Sequence, residues 1–597
     1  MINSLQYTQN VRFTAVSCAS RVLSLPYSPM RVYPRFSRVL VLFSILVALI
    51  FSSNSAHSAT PPLTNSQAIE RWGGIGFPAT GLWLLEDFNL GFNPSGLYKI
   101  KETPSKTELT LCAGLIDEKC KDGAQLYQIL NFDVCTPESK LSCIAGIWAV
   151  DPNGKRIVGE LIKSVPFDER QFVQENVSLN LPKSTSYGAV WKIPGVLNAA
   201  GSDQYFAASR VTMSKNSNET SFSYGEIETG IVPINELRGN YGRRDLLSAG
   251  GQGSDGPTRT PSGEECVALE VGICRERVEF PANYRFGLTL RIGEKIRGWY
   301  HGRMSLPDIK IEEWQNGQQM SIEGQPVKVP SLDFVVPNSE LSESAKKILE
   351  ECKVIACGGR GNPQGINQLV SNLNHPDSFK FLSSFKADYQ DRATKTQTFW
   401  SFKKMFNHAG LLREDELKQC GDRAGALTGL VLTNSLAYSS GPPAFDSATG
   451  SLVYTVSSPH LEANGEVASG TYDLTLLSSV ARCIYKFSSA PIKAEISITG
   501  EDGEKRVATT VVNEKDGWLY MSAKGFSFSA PKIQVKLSQE EVAKVEEVKT
   551  TTEEVKNTAA VAPKVVATKK SITCVKGKLK KKISGSSPKC PAGFKKK

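Results

Sequence analysis

The chain lacks the short motifs by which many enzymes are recognised from sequence. It has no Gly-x-x-x-x-Gly-Lys phosphate loop, no His-Glu-x-x-His zinc helix and no Gly-x-Ser-x-Gly nucleophile turn. P-loop nucleotide chemistry, zincin proteolysis and α/β-hydrolase esterolysis therefore have no sequence basis, and no cofactor is expected. Histidine is scarce, with five in 597 residues. Beyond residue 59 only His301, His375, His408 and His460 remain, none within four residues of another, so a zinc site or Ser/His triad would need distant segments. No Cys-x-x-Cys pair occurs, which favours disulfides over cysteine metal sites. Long apolar runs are absent too: the stretch Val39 to Phe51 has thirteen residues, whereas spanning a bilayer takes roughly 20.

That run is the length of a signal-peptide core. Arg31, Arg35 and Arg38 precede it, and small residues from Ser52 to Ala59 follow, offering cleavage near Ser58 or Ala59. The exported chain is expected to begin close to Thr60, with Met30 as an alternative start of translation and an uncleaved anchor as the competing reading. The first cysteine after the core is Cys112, so N-terminal lipid attachment has no site. Of thirteen cysteines, Cys18 lies upstream of the core, leaving twelve for six disulfides in an oxidising compartment. The simplest pairs are Cys112 with Cys120, Cys135 with Cys143, Cys266 with Cys274, Cys352 with Cys357, Cys420 with Cys483, and Cys574 with Cys590, although spacing alone does not fix connectivity.

Acid is missing from the C-terminus. Lys569 to Lys597 carries eleven lysines and no Asp or Glu, and residues 1–59 carry five arginines; removing these sixteen charges from the formal +10 leaves residues 60–568 at −6. A mildly acidic body with a strongly basic arm is the pattern of electrostatic attachment. Residues 538–570, rich in Glu, Lys, Val, Thr and Ala with no aromatic or glycine, read as a stalk. Residues 571–597 read as a disulfide-closed hairpin around a Gly-Ser-Ser-Pro turn. Its polyanion-binding candidates are Lys576, Lys578, Lys580, Lys581, Lys582, Lys589, Lys595, Lys596 and Lys597. The expected partner is an anionic cell-wall polymer or membrane surface. Nucleic acid is disfavoured, because Phe594 is the lone aromatic available for base stacking.

The body reads as mainly β with minor α, a disulfide-stabilised, multidomain, β-sandwich-like architecture. Short apolar stretches punctuated by Gly, Pro and Asn fill residues 60–245, among them TGLWLL, CIAGIWAV and YGAVWKI. A Gly/Ser/Pro-rich join covers 246–263. Residues 264–410 read as mixed, with strands at YRFGLTLRI and IKIEEW, a helix over Asn338–Cys352 and a second helical stretch within Asp377–Phe406. Residues 411–537 suggest about eight strands, including LTGLVLT, TYDLTLL, RCIYKF and KIQVKL, with Cys420 tied to a middle strand through Cys483.

The runs SSGPPAFDSATGSLVYTV, TYDLTLLSSVARCIYKFSSAPI and ATTVVNEKDGWLYMSAKGF, the phrase GWYHGRMSLPDI and the CVKGK…PKCPAGFKKK tail resemble a group of predicted secreted proteins of actinobacteria. The resemblance covers roughly the last half of the chain. It implies secretion and a surface location, and it carries no activity or functional residue.

Two functional readings follow. One is an exported envelope or surface protein with an adhesive, structural or ligand-binding role, its body taking an unknown ligand. The alternative is a secreted hydrolase of polysaccharide or peptide, with acids drawn from Glu86, Asp87, Glu160, Glu312 or Glu313. His301, beside Trp299, Tyr300 and Arg303, either lines a polar pocket with an aromatic wall or, the favoured reading, is a solvated residue at a strand end.

Overall fold

Alternating apolar and polar residues dictate strands through most of the body, and strands are what form. The computed structural model describes residues 78–241 and 266–539, apart from short connecting stretches, and much of 570–596. Two compact units result, Met1–Glu540 and Glu541–Lys597.

In the first unit a continuous eight-strand path runs through the largest sheet. In chain order its strands are β1 (Gln125–Phe132), β2 (Gln204–Lys215), β3 (Ser223–Arg238), β4 (Gly298–Arg303), β5 (Lys395–Lys404), β6 (Leu427–Thr433), β7 (Ser469–Leu477) and β8 (Trp518–Ser527). In space they run β1–β2–β3–β5–β4–β6–β7–β8, antiparallel throughout except for the parallel pair β4–β6.

Both faces of this sheet are covered, which is why β6 is buried along its whole length. Its alternate residues enter different cores. Leu430 and Leu432 pack with Leu288 and Ile322 of a five-stranded sheet on one face; Val431 packs with Tyr454, Ile496 and Val535 of a six-stranded sheet on the other. Three helices, α1 (Glu343–Ile355), α2 (Pro376–Ser384) and α3 (Ser478–Tyr485), add Ala345, Phe381 and Val480 to the second core. Each such Val, Leu, Ile or Phe contributes roughly 1.5–3 kcal/mol on full burial.

The layering corrects the expected order of domains. Segments 60–245, 264–410 and 411–537 all supply strands to the middle sheet, so they form one compact unit and not three in series. Local alternation identifies a strand without naming its neighbour. Two local expectations also change. Lys395–Lys404, inside the stretch read as helical, is strand β5, because its Phe399 to Phe402 segment is buried between β3 and β4. RCIYKF, read as a strand, falls largely in α3, where Val480, Ala481 and Ile484 bury one stripe and Lys486 caps the end in a left-handed conformation. The Cys420–Cys483 bond therefore anchors a helix.

One buried acid sets a pH dependence. Asp473 of β7 accepts a hydrogen bond from the Leu306 backbone N–H at 3.1 Å, and burial pushes its carboxyl up to about 6. The unfolded carboxyl titrates near 3.9, so the folded state holds more protons between about pH 4 and 6 and stability falls as pH rises through that window. Denaturant unfolding of Asp473→Asn across pH 4 to 7 is expected to lack that fall; an unchanged slope would assign the pH dependence elsewhere.

The second unit contains β9 (Lys570–Lys576), β10 (Leu579–Gly585) and β11 (Lys595–Lys596), in the order β10–β9–β11. Lys576 stands opposite Leu579, so β9 and β10 pair as a hairpin that closes before the Gly-Ser-Ser-Pro stretch expected to be its turn.

Candidate functional site

The most polar part of the first unit lies on the middle sheet. Strand pairing sets Asn131, Arg210, Glu228, Lys403 and His301 side by side across β1, β2, β3, β5 and β4, and the row continues into Val431, Leu474 and Met521. Three residues of this row are charged, two are polar and three belong to the apolar core. Neighbouring strands are about 4.8 Å apart, so alternating charges sit within interaction range. Arg210 is ion-paired with Glu228.

His301 marks the boundary. It is 3% exposed, and its ring stacks on Tyr438 with centroids 3.6 Å apart and planes 2° from parallel. Its Nε2 has no hydrogen-bond partner among the described residues. Burial first, then the charges of Arg303 and Lys403, hold the imidazole well below the usual histidine range, so it is neutral at physiological pH. The solvated reading of His301 is therefore replaced: β4 carries it into the sheet interior, where Tyr438 covers one face.

A cavity of about 260 Å³ opens at this row, lined by Arg210, Glu226, Glu228, His301, Lys403 and Tyr438 among others. Burial and the neighbouring Glu228 raise the Glu226 carboxyl. A groove of about 1030 Å³ adjoins it, with Arg297, Trp299, Phe445, Asp446 and Lys532 in its walls. Lys404, Met405 and Ser439 line both, so the cavity and the groove share a wall. In this two-part cleft Trp299 lines the groove and His301 the cavity, both from one face of the sheet because they are two residues apart on β4.

Arg303, two residues beyond His301, serves the fold. It pairs with Glu86, both side chains being 1% exposed. The guanidinium also donates to the carbonyls of Thr433 at 2.9 Å, Ser435 at 2.5 Å and Leu436 at 3.3 Å, and stands over the Tyr438 ring.

The other expected acids do not converge. Glu86 is consumed by Arg303; Glu160 is exposed on a short strand; Glu312 and Glu313 are exposed and paired with Lys310 and Lys295. Asp87 and His408 lie outside the described residues. His375 caps α2 by accepting from the Asp377 N–H at 3.2 Å, and His460 sits in a loop where its backbone N–H donates to Asp391. Sequence reading missed Arg210, Glu226, Glu228 and Lys403. The available signal was charge at alternate positions of otherwise apolar strands, as in the Arg of QYFAASRVTMSK.

Four cysteine pairs are bonded as spaced: Cys112–Cys120, Cys135–Cys143, Cys266–Cys274 and Cys420–Cys483. Such bonds belong to an oxidising, extracytoplasmic environment. Cys590 is also disulfide-bonded. The side chains of Cys352, Cys357 and Cys574 lie outside the described residues. Of the tail lysines, Lys580, Lys581 and Lys582 lie in β10, Lys576 in β9, and Lys595 and Lys596 in β11, with Lys580 and Lys595 both opposite Val575. Lys578, Lys589 and Lys597 lie outside the description. Among the described residues no helix is long and apolar enough to cross a membrane.

No family model, curated protein or solved structure matches the chain.

Proposed function

We propose that the protein is exported and held at the cell envelope, where its β body captures a ligand while the basic C-terminal unit binds an anionic polymer or membrane surface. The observation that carries this reading is the separateness of Glu541–Lys597 as a unit of its own, with lysines on all three of its strands. Strand pairing sets these residues close together in the fold, and clustered cations attract polyanions in a salt-dependent way. The disulfides, the signal-like leader and the resemblance to secreted actinobacterial proteins support export. Of the acids first assigned to the hydrolase alternative, Glu86 is taken by Arg303 and Glu160, Glu312 and Glu313 are exposed; Glu226 and Glu228, which share the small cavity, are a further pair for it.

Sedimentation of the mature chain with envelopes of the producing cell tests the retention role. Changing Lys580, Lys581, Lys582, Lys595 and Lys596 to Gln is expected to abolish most binding at low salt, and the unchanged chain is expected to release progressively between 50 mM and 500 mM salt, a range of roughly threefold in Debye length. Equal binding by both chains would place recognition in the body and discard the anchor.

A further inference from the structure

The two adjoining cavities carry a charge opposite in sign to the body around them. Arg210, Arg297, Lys403, Lys404 and Lys532 line them against Glu226, Glu228 and Asp446, five cations to three acids, although residues 60–568 as a whole carry −6. A positive cleft in a negative body focuses field lines on the cleft and concentrates anions there. The groove, at about 1030 Å³, has volume for several sugar residues, and the adjoining cavity, at about 260 Å³, has room for about one small polar ring.

The end cavity is equipped for hydroxyl groups. His301 lines the cavity, its Nε2 buried and without a described hydrogen-bond partner. Asn372 and Asn374 add amide groups that both donate and accept, whereas the Ser439 hydroxyl is engaged with the Thr455 backbone. The Arg210–Glu228 ion pair compensates itself and supplies further hydrogen-bonding sites without strong net charge. In the groove, Trp299 and Phe445 provide apolar surface between the exposed cations Arg297 and Lys532. Hydroxyl-rich recognition at one end, apolar ring surface beyond it and cations along the walls is the complement of a carbohydrate chain bearing acidic groups.

We infer that the cleft running from Arg210 and His301 to Arg297 and Lys532 binds an acidic polysaccharide, seating one sugar ring in the end cavity and the following acidic residues along the groove. This rests on the ligand-capture reading of the body and names its ligand class. Lys404, which lines both cavities, is the central contact.

The test uses the mature chain bearing the five Lys→Gln changes in the tail, so that the basic unit does not mask the cleft. Calorimetric titration with a galacturonate hexamer and a hyaluronan hexamer is compared with an uncharged maltohexaose, inorganic phosphate and a single-stranded oligonucleotide. Binding of at least one acidic hexamer, much tighter than maltohexaose or phosphate, is expected. Lys404→Ala should weaken it at least about tenfold, the effect of losing one charge-assisted hydrogen bond. Lys310→Ala removes the same charge from an exposed site paired with Glu312 on another sheet and should leave binding unchanged. Because Lys404 is half-exposed and its one described hydrogen bond, to the Gly225 carbonyl, is 3.5 Å long, its removal should not unfold the chain; matching thermal melts check this. Failure of both acidic hexamers, equal loss in both lysine variants, or equally tight oligonucleotide binding would overturn the inference. Any of these would leave envelope retention by the unmodified tail standing, and failure of that retention would leave the cleft result standing.

Discussion

Replacing Glu86 by alanine is expected to destabilise the first unit by about 3–5 kcal/mol, the range for removing one partner of a buried ion pair. The reason lies in what is left behind. Arg303 is 1% exposed and cannot reach solvent, so its guanidinium would remain charged in a dry interior with three backbone carbonyls as its described partners. The reciprocal Arg303→Met should be similarly costly, because it strands the Glu86 carboxylate and the carbonyls of Thr433, Ser435 and Leu436 together. The double change Glu86→Leu with Arg303→Met should cost less than the sum, since neither charge then remains unpaired. Urea unfolding of the three variants checks this; a single change costing under about 1 kcal/mol would show that the pair is hydrated or dispensable. The expected loss is large because the pair crosses the fold: Glu86 and Arg303 are 217 residues apart, and the carbonyls lie 130 to 133 residues beyond Arg303.

The second large effect is expected from the Cys420–Cys483 bond. It closes a separation of 63 residues, against 8 for each of the three other described pairs. On the chain-entropy model the long loop is worth about 4 kcal/mol and each short one about 2–3 kcal/mol. The joint change Cys420→Ser with Cys483→Ser should therefore lower the denaturation midpoint more than Cys112→Ser with Cys120→Ser. It should also loosen α3 against β7 and β8, because Cys483 sits on that helix. Hydrogen exchange across Ser478–Tyr485 would report the second effect, and protection equal to that of the parent chain would show that packing of Val480, Ala481 and Ile484 suffices to hold the helix.

Much of this architecture was legible in the chain because its signals are local. Period-two alternation marked the strands at YRFGLTLRI, IKIEEW and TYDLTLL, and cysteines eight residues apart in neighbouring strand ends had nowhere closer to pair. The shift from an acidic body to an acid-free lysine tail is written in composition alone. RCIYKF was misread because six residues with apolar positions at mixed spacing satisfy both a strand and a helix; the buried stripe became clear only with Val480 and Ala481 beside it.

The cleft was hidden for a different reason. Arg210, Glu228, Lys403 and His301 become neighbours through strand pairings that join residues 18, 175 and 102 positions apart, and alternation is silent about which strand lies beside which. His301 illustrates the limit. The sequence determined that it follows Trp299 and Tyr300 on a strand, whereas only the tertiary structure buried it, stacked it on Tyr438 and placed it where a charged row meets the core. The signal-like leader, cysteine spacing, strand content and the basic tail were set by residue order and composition. The partners of each buried charge, the fusion of three segments into one layered body and the sign of the field in the cleft were decided by folding, because they depend on distances that close only when remote strands share a sheet.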